Sequence, residues 1–205
     1  MRSRGITATV LVSTVGICAS FLVACENEPG PLPQPSAEPS VTSTPSSSDE
    51  EAEGLRANDP LRMEGIGAVT VGMSVEEVQD VTGEKIRVFS DFTPRCRISQ
   101  PRDGTPRGLF LMLSRGRVVR IDVDPPSKIQ TVSGIGIGDT QDKVLRVYGD
   151  EIRVEAHPYL MDRGNYLVHQ ADEEDLLLIF ETDRGKVTSF RSGYAEQVRY
   201  IEGCA

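Results

Sequence analysis

"IGDTQDKVLRVYGDEIRV", Ile137 to Val154, repeats in outline a phrase the chain has already used at Val71 to Val88, "VGMSVEEVQDVTGEKIRV". A shift of 66 residues lays Gly72 on Gly138, Ser74 on Thr140, Val78 on Val144, Gly83 on Gly149 and Ile86-Arg87-Val88 on Ile152-Arg153-Val154. The same shift places "LFLML" (109 to 113) on "DLLLI" (175 to 179). After three extra residues in the second stretch, "RGRVVRI" (115 to 121) meets "RGKVTSF" (184 to 190). Register held this long reads as two copies of one supersecondary unit.

Each copy has its own local logic. A glycine precedes a residue able to cap a helix, and Ser74 with Glu77 has the spacing of a capping box. The predicted helices are short, Val75 to Thr82 and Gln141 to Tyr148, with Val75, Val78 and Val81, or Val144, Val147 and Tyr148, on one face. Gly83 and Gly149 stand where a helix stop favours a left-handed residue. Two turns of helix are unstable alone, so a sheet must support them. Strands are expected at "IRVFS", "RCRIS", "GLFLMLS" and "RVVRIDVD" in the first copy and at "EIRVE", "YLVHQ", "DLLLIFET" and "KVTSFRS" in the second. Arg115-Gly116 and Asp183-Arg184-Gly185 supply tight hairpin turns. In "RVVRIDVD" the alternation sends Val119, Ile121 and Val123 to one side and Arg120, Asp122 and Asp124 to the other, which predicts one buried and one wet face. The final "EQVRYIEGCA" reads as a closing strand. The expected fold class is α+β, with helices packed on one face of antiparallel meanders.

The N-terminal residues address the chain to the envelope. Arg2 and Arg4 precede an uncharged apolar run that lasts to Ala24, the pattern of an export signal. It ends Leu22-Val23-Ala24-Cys25, which resembles the lipobox of bacterial lipoproteins. That resemblance implies cleavage before Cys25 and acylation of its sulfur. An uncleaved membrane helix and cleavage to a free secreted protein are the other two readings. With the helix uncleaved the positive-inside rule again puts the rest of the chain outside, so all three face it outward.

Between Asn27 and Glu53 stand six prolines and eight serines or threonines, with Leu32 and Val41 as the large aliphatics, a composition that cannot repay ordering. This tether would reach on the order of 30 Å as a flexible coil. Its Ser/Thr/Pro mixture also resembles stalks that carry O-linked sugars. The expected organisation is a leader (1–24), a lipidated cysteine and tether (25–58), a first repeat (59–130) and a second repeat with the closing strand (131–205). Membrane attachment is expected through the lipid.

A net charge of −9 becomes −11 once Arg2 and Arg4 leave with the leader, and this argues against nucleic acid as a partner, since such binding rests on clustered lysine and arginine. Of four cysteines, Cys18 goes with the leader and Cys25 takes the lipid. Cys96 and Cys204 then remain in an oxidising compartment and are expected to pair, the alternative being two buried thiols.

A Gly-Met-Ser or Gly-Asp-Thr entry into a short helix, a glycine exit and a following meander resemble the unit of the outer-membrane assembly lipoprotein BamE (the SmpA/OmlA family). In tandem, the unit is similar to the β-lactamase-inhibitor protein. The "GIGAVTVGMS" opening, the paired copies and the Glu-Gly-Cys end resemble a group of actinobacterial lipoproteins. The resemblance implies a fold and a binding role for about 147 residues, and carries over no catalytic residue.

Groups for chemistry are few. His157 and His169 lack a partner at metal-ligand spacing, and Asp172 to Asp175 lacks the alternating oxygens of a calcium loop. Asp122 and Asp124 would do acid and base work only if a cleft shifted their pKa values. No cofactor or metal site and no enzymatic activity are expected. All five tyrosines lie in the second copy, and Tyr166, Tyr194 and Tyr200 are the candidates for a partner-binding face, the alternative being that they roof the core with their hydroxyls in water. The expected function is protein binding or scaffolding at the outer envelope. Inhibition of an extracellular or cell-wall enzyme and small-ligand sensing are the alternatives, the last requiring a closed apolar pocket between the sheets.

Overall fold

A computed structural model describes residues 54–89, 95–170 and 175–204. The leader, Cys25, the tether as far as residue 53 and the acidic run 172–174 lie outside the described residues. Among the described residues no helix is long and apolar enough to cross a membrane.

A two-stranded ribbon, β1 (Gly65–Ile66) and β2 (Val69–Thr70), leads into α1 (Val75–Thr82). The capping box forms: Glu77 N–H donates to Ser74 Oγ at 3.2 Å, and Ser74 N–H donates to the Glu77 carboxylate at 2.7 Å. Gly83, at φ 66°, ends the helix in the left-handed region. The first meander follows as β3 (Ile86–Val88), β4 (Arg97–Pro101), β5 (Leu109–Ser114) and β6 (Arg117–Val123). Then come α2 (Gln141–Tyr148), capped by Thr140, a 3₁₀ turn at Gly149–Glu151, and a second meander of β7 (Ile152–His157), β8 (Met161–Gln170), β9 (Leu176–Asp183) and β10 (Lys186–Tyr194). Arg115-Gly116 (φ 51° and 79°) and Arg184-Gly185 (φ 49° and 72°) close the β5/β6 and β9/β10 hairpins with two positive φ values, the signature of a type I′ turn.

The fold is α+β, and the meanders do not form separate sheets. β6 pairs antiparallel with β10, placing Asp122 beside Arg191 and Ile121 beside Ser192. One eight-stranded antiparallel sheet results, in the order β3-β4-β5-β6-β10-β9-β8-β7. Val78 of α1 and Val144 of α2 are fully buried against the same face, over Leu111, Ile121, Leu167, Phe180 and Phe190. Burying each such valine contributes about 1.5–3 kcal/mol, which is what holds two-turn helices in place. Val147 departs from its expected place on the buried stripe and is 44% exposed. Each helix entry is also tied to a hairpin. Gly72 N–H donates to Val118 O at 2.7 Å, and Gly138 N–H donates to Val187 O at 2.8 Å.

Three expectations are corrected. The C-terminal stretch is not a strand: α3 (Ala195–Val198) and the turns to Cys204 lie on the face opposite α1 and α2. Helices therefore occupy both faces. Arg120 and Arg191 take the carbonyls of Gln197, Val198 and Tyr200, so these are not offered to a neighbouring strand. For the same reason the face carrying Arg120 and Asp122 is not wet, and both are buried under this segment. The folded unit also starts earlier than residue 59, because Leu55 is 5% exposed and packs into the core. Cys96 and Cys204 form the expected disulfide, with Cα atoms 5.4 Å apart across 108 residues of sequence.

Gly193 marks how tightly the central strands approach. A Cβ there would lie 2.4 Å from Val119 O, and its φ of 140° excludes most other residues. Gly193→Ala is expected to cost about 2 to 4 kcal/mol in urea unfolding, against about 1 kcal/mol for Gly116→Ala, where φ is also positive but space is open.

Candidate functional site

The face opposite α1 and α2 carries a row of polar side chains that the register aligns across the sheet. Arg191 faces Asp122 across β10 and β6, Glu181 faces Tyr166 across β9 and β8, and Tyr166 faces Glu155 of β7. Because side chains alternate along a strand, the in-out pattern that buries Ile121, Phe180 and Phe190 sends Arg120, Asp122, Glu181 and Arg191 to this side.

Two guanidiniums organise it. Arg120 grips Asp122, Nε donating to Oδ1 at 2.8 Å and to Oδ2 at 3.0 Å while Nη2 approaches Oδ1 at 2.6 Å. Its Nη1 donates to the carbonyls of Gln197 (3.0 Å) and Tyr200 (2.7 Å). Arg191 donates from Nε to Val198 O at 2.6 Å and pairs through Nη1 with Glu181. His157 Nε2 lies 3.5 Å from the other side of the Glu181 carboxylate. Burial alone would raise the Glu181 pKa, but Arg191 and His157 more than offset it and hold the group below the ordinary carboxylate range.

Asp124 has the opposite balance. Burial, then repulsion from Asp122 and Glu181, outweighs the pull of Arg120 and Arg191 and lifts its pKa to about 6. No described side chain donates to it. It lines a polar cleft of about 210 Å³ with Arg120, Asp122, Glu181, Ser189, Arg191 and Ile201. Asp122 is consumed by Arg120, so the two aspartates do not form a pair sharing one proton. The cleft holds one carboxyl with a raised pKa, with the Ser189 hydroxyl also in its lining.

The three candidate tyrosines do not share a face. Tyr166 is 6% exposed, sandwiched between the Arg191 guanidinium, 5.2 Å from its ring centroid, and the His157 ring at 4.7 Å. It is a buried member of the polar row, and its candidacy as a contact residue is withdrawn for that reason. Tyr194 is half-exposed, and its hydroxyl lies against Gly72 on the α1 side. Tyr200, exposed to the same degree as Tyr194, lies instead on the C-terminal segment, its hydroxyl donating to Glu196 at 2.7 Å.

Tyr200 has company that the sequence did not indicate. Tyr159, 61% exposed, donates from Oη to Glu202 at 2.5 Å, and Ile201 between them is also exposed. Nearby, Arg199 donates to Glu155 at 3.2 Å. Tyr159 is thus tied by its hydroxyl to the segment that carries exposed Tyr200 and Ile201, and Ile201 lines the polar cleft. Tyr159 sits in the turn between β7 and β8, and Ile201 in a stretch read as a strand, so neither showed a periodic signal. The two histidines lie on opposite faces: His169 stacks on Tyr148 of α2 at 4.9 Å, far from His157 in the fold. Among the described residues no three His, Cys, Asp or Glu side chains are grouped to hold a metal ion.

No known protein family, curated protein or solved structure matches the chain.

A carboxyl with a folded pKa near 6 and an ordinary value of 3.8 unfolded binds its proton more tightly in the folded state. Its contribution to stability is full below about pH 4 and is lost as pH rises through 6. Asp124→Asn is therefore expected to melt above the wild type at pH 7, with the gap closing steadily towards pH 4. Parallel melting curves at pH 4.5, 5.5 and 7 check this, and a gap that does not change with pH would refute the assignment.

Proposed function

We propose that the chain is an exported protein, anchored by a lipid on Cys25, that binds a protein partner at the outer face of the cell envelope and has no catalytic activity of its own. The observation that carries this reading is the exposure of Tyr200 and Ile201 on a segment fixed by a disulfide and two buried arginines, with exposed Tyr159 of the β7–β8 turn tied to the same segment through Glu202. Aromatic anchors held in place before contact lose little entropy on binding, which is how a few side chains come to dominate an interface. The acidic balance of the chain steers it towards basic or neutral surfaces.

The domain is read as two BamE-like units in tandem. Support comes from the matching order of elements in its halves, the Gly72–Val118 and Gly138–Val187 hydrogen bonds at equivalent positions, and the type I′ hairpin at the same point of each meander. A second reading is inhibition of an extracellular or wall enzyme, for which the continuous eight-stranded sheet would supply a rigid frame. Small-ligand sensing has less to support it: β6 and β10 are paired directly, and the cleft lined by Asp124 is polar.

Photoreactive residues at positions 159 and 200, introduced in living cells, are expected to capture one recurrent envelope protein. Alanine at Tyr159, Tyr200 and Ile201 together is expected to reduce that capture at least about tenfold while shifting stability by roughly 0.5 kcal/mol or less per site. Capture of lipid and wall fragments alone would overturn the reading. Titrating the purified chain against wall hydrolases or a β-lactamase separates an inhibitor, which lowers their rate, from a scaffold, which does not. Cys25→Ser is expected to abolish incorporation of labelled palmitate and to release the chain from the membrane fraction.

A further inference from the structure

We infer that the outer edge of β7 is a self-recognition site, where two copies of this chain join antiparallel into one sheet of sixteen strands. β7 is the last strand of the sheet, and among the described residues nothing pairs with its free side. An open edge of six residues is a template for another strand, and proteins that must not aggregate block such edges with charges. This edge carries two charges, Arg153 and Glu155, of opposite sign and two residues apart.

That spacing selects the partner. In an antiparallel pair centred on Val154, with the twofold axis perpendicular to the sheet, Val154 meets Val154 of the second copy and Ile152 meets Ala156. Arg153 then lies opposite Glu155 on both sides of the axis. Slipping the register by two residues would centre it on Arg153 or on Glu155 and set like charges against each other, and an odd slip would put side chains of one strand on the wrong face. Among the registers that overlap most of the strand, one is free of conflict; slips of four residues also avoid like charges but leave half of β7 or less paired.

The individual residues suit this use. Val154 is 48% exposed despite lying on the core side of the sheet, and a second copy would cover it. Arg153 donates to Glu155 of its own strand at 2.8 Å, but Glu155 is also held by Arg199 at 3.2 Å. Arg153 can therefore turn to the other copy without leaving its own Glu155 unpaired. The twofold axis keeps α1 and α2 of both copies on one side and both C-terminal segments on the other. The Tyr159, Tyr200 and Ile201 surfaces would then stand side by side.

The test uses the full chain in its own envelope. Opposed residues have Cβ atoms about 4.5–5.5 Å apart, so Val154→Cys is expected to give a disulfide-linked dimer on non-reducing gels, and Val132→Cys, exposed elsewhere, is not. Arg153→Glu and Glu155→Arg, each in the Val154→Cys background, are each expected to lower dimer yield about tenfold, because both put like charges across the axis. Expressed together with different tags, the two variants are expected to pair with each other, since one then presents two acidic side chains at positions 153 and 155 and the other two basic ones. A mixed dimer no more abundant than either self-dimer would overturn the proposal, as would crosslinking of Val154→Cys to a different protein. Rescue by mixing cannot come from a folding defect in either variant.

Discussion

The antiparallel pairing of β6 with β10 is the constraint on which the rest of the structure depends. Each meander alone would be a four-stranded sheet with an exposed inner edge and one helix to cover it. Joining their last strands removes both inner edges and sets α1 and α2 side by side on one continuous face. It also brings Asp122 next to Arg191, which neither half contains as a pair. The opposite face must then be covered at its centre, and among the described residues the segment after β10 does so. Arg120 and Arg191 complete the cover by giving their spare donors to the carbonyls of Gln197, Val198 and Tyr200.

This arrangement explains why the centre of the second face is ionic when an apolar one would be easier to stabilise. Buried ion pairs return little net stability, because desolvation offsets their attraction, yet losing one partner is costly. What they supply here is placement. A guanidinium that chelates a carboxylate has donors left over in fixed directions, and those directions specify where the C-terminal carbonyls must sit. Asp124 bears the cost of that design. It stands just past the end of the same strand, close to two committed carboxylates, and neither arginine donates a hydrogen bond to it.

Local chemistry was legible in the sequence, and long-range chemistry was not. Both helices begin and end where Ser74, Thr140, Gly83 and Gly149 placed them, because caps act within four residues. The hairpins follow from Arg-Gly pairs for the same reason. The alternation of Arg120, Asp122 and Asp124 against Val119, Ile121 and Val123 also gave the correct faces for the charged residues, but it could not tell a face bathed in water from one covered by chain about 75 residues later. The two look identical in sequence because the covering groups are backbone carbonyls, which every residue has. Tyr166 was misread through the same gap: its ring alternates correctly to the second face, and Arg191, His157 and Val198 of α3 close this part of the face. Cys96 and Cys204, the two cysteines outside the expected leader and lipobox, did carry long-range information, since a covalent partner is specified by residue type alone.

The C-terminal segment is held by three kinds of restraint at nearly successive positions. Arginine donors hold residues 197, 198 and 200, the Tyr159 hydroxyl holds 202, and the disulfide holds 204. Each is modest alone, and their value lies in acting together on one short stretch without regular secondary structure after Val198. Ordering the ten residues from 195 to 204 costs on the order of 10 kcal/mol or more of backbone entropy, which must be met when the chain folds. Once it is met, Tyr200 and Ile201 project from a fixed frame, and a partner that binds them need not supply that ordering again. In the proposed reading the buried arginines and exposed Tyr200 and Ile201 are two ends of one device: the first hold the segment still, and the second would make use of its stillness.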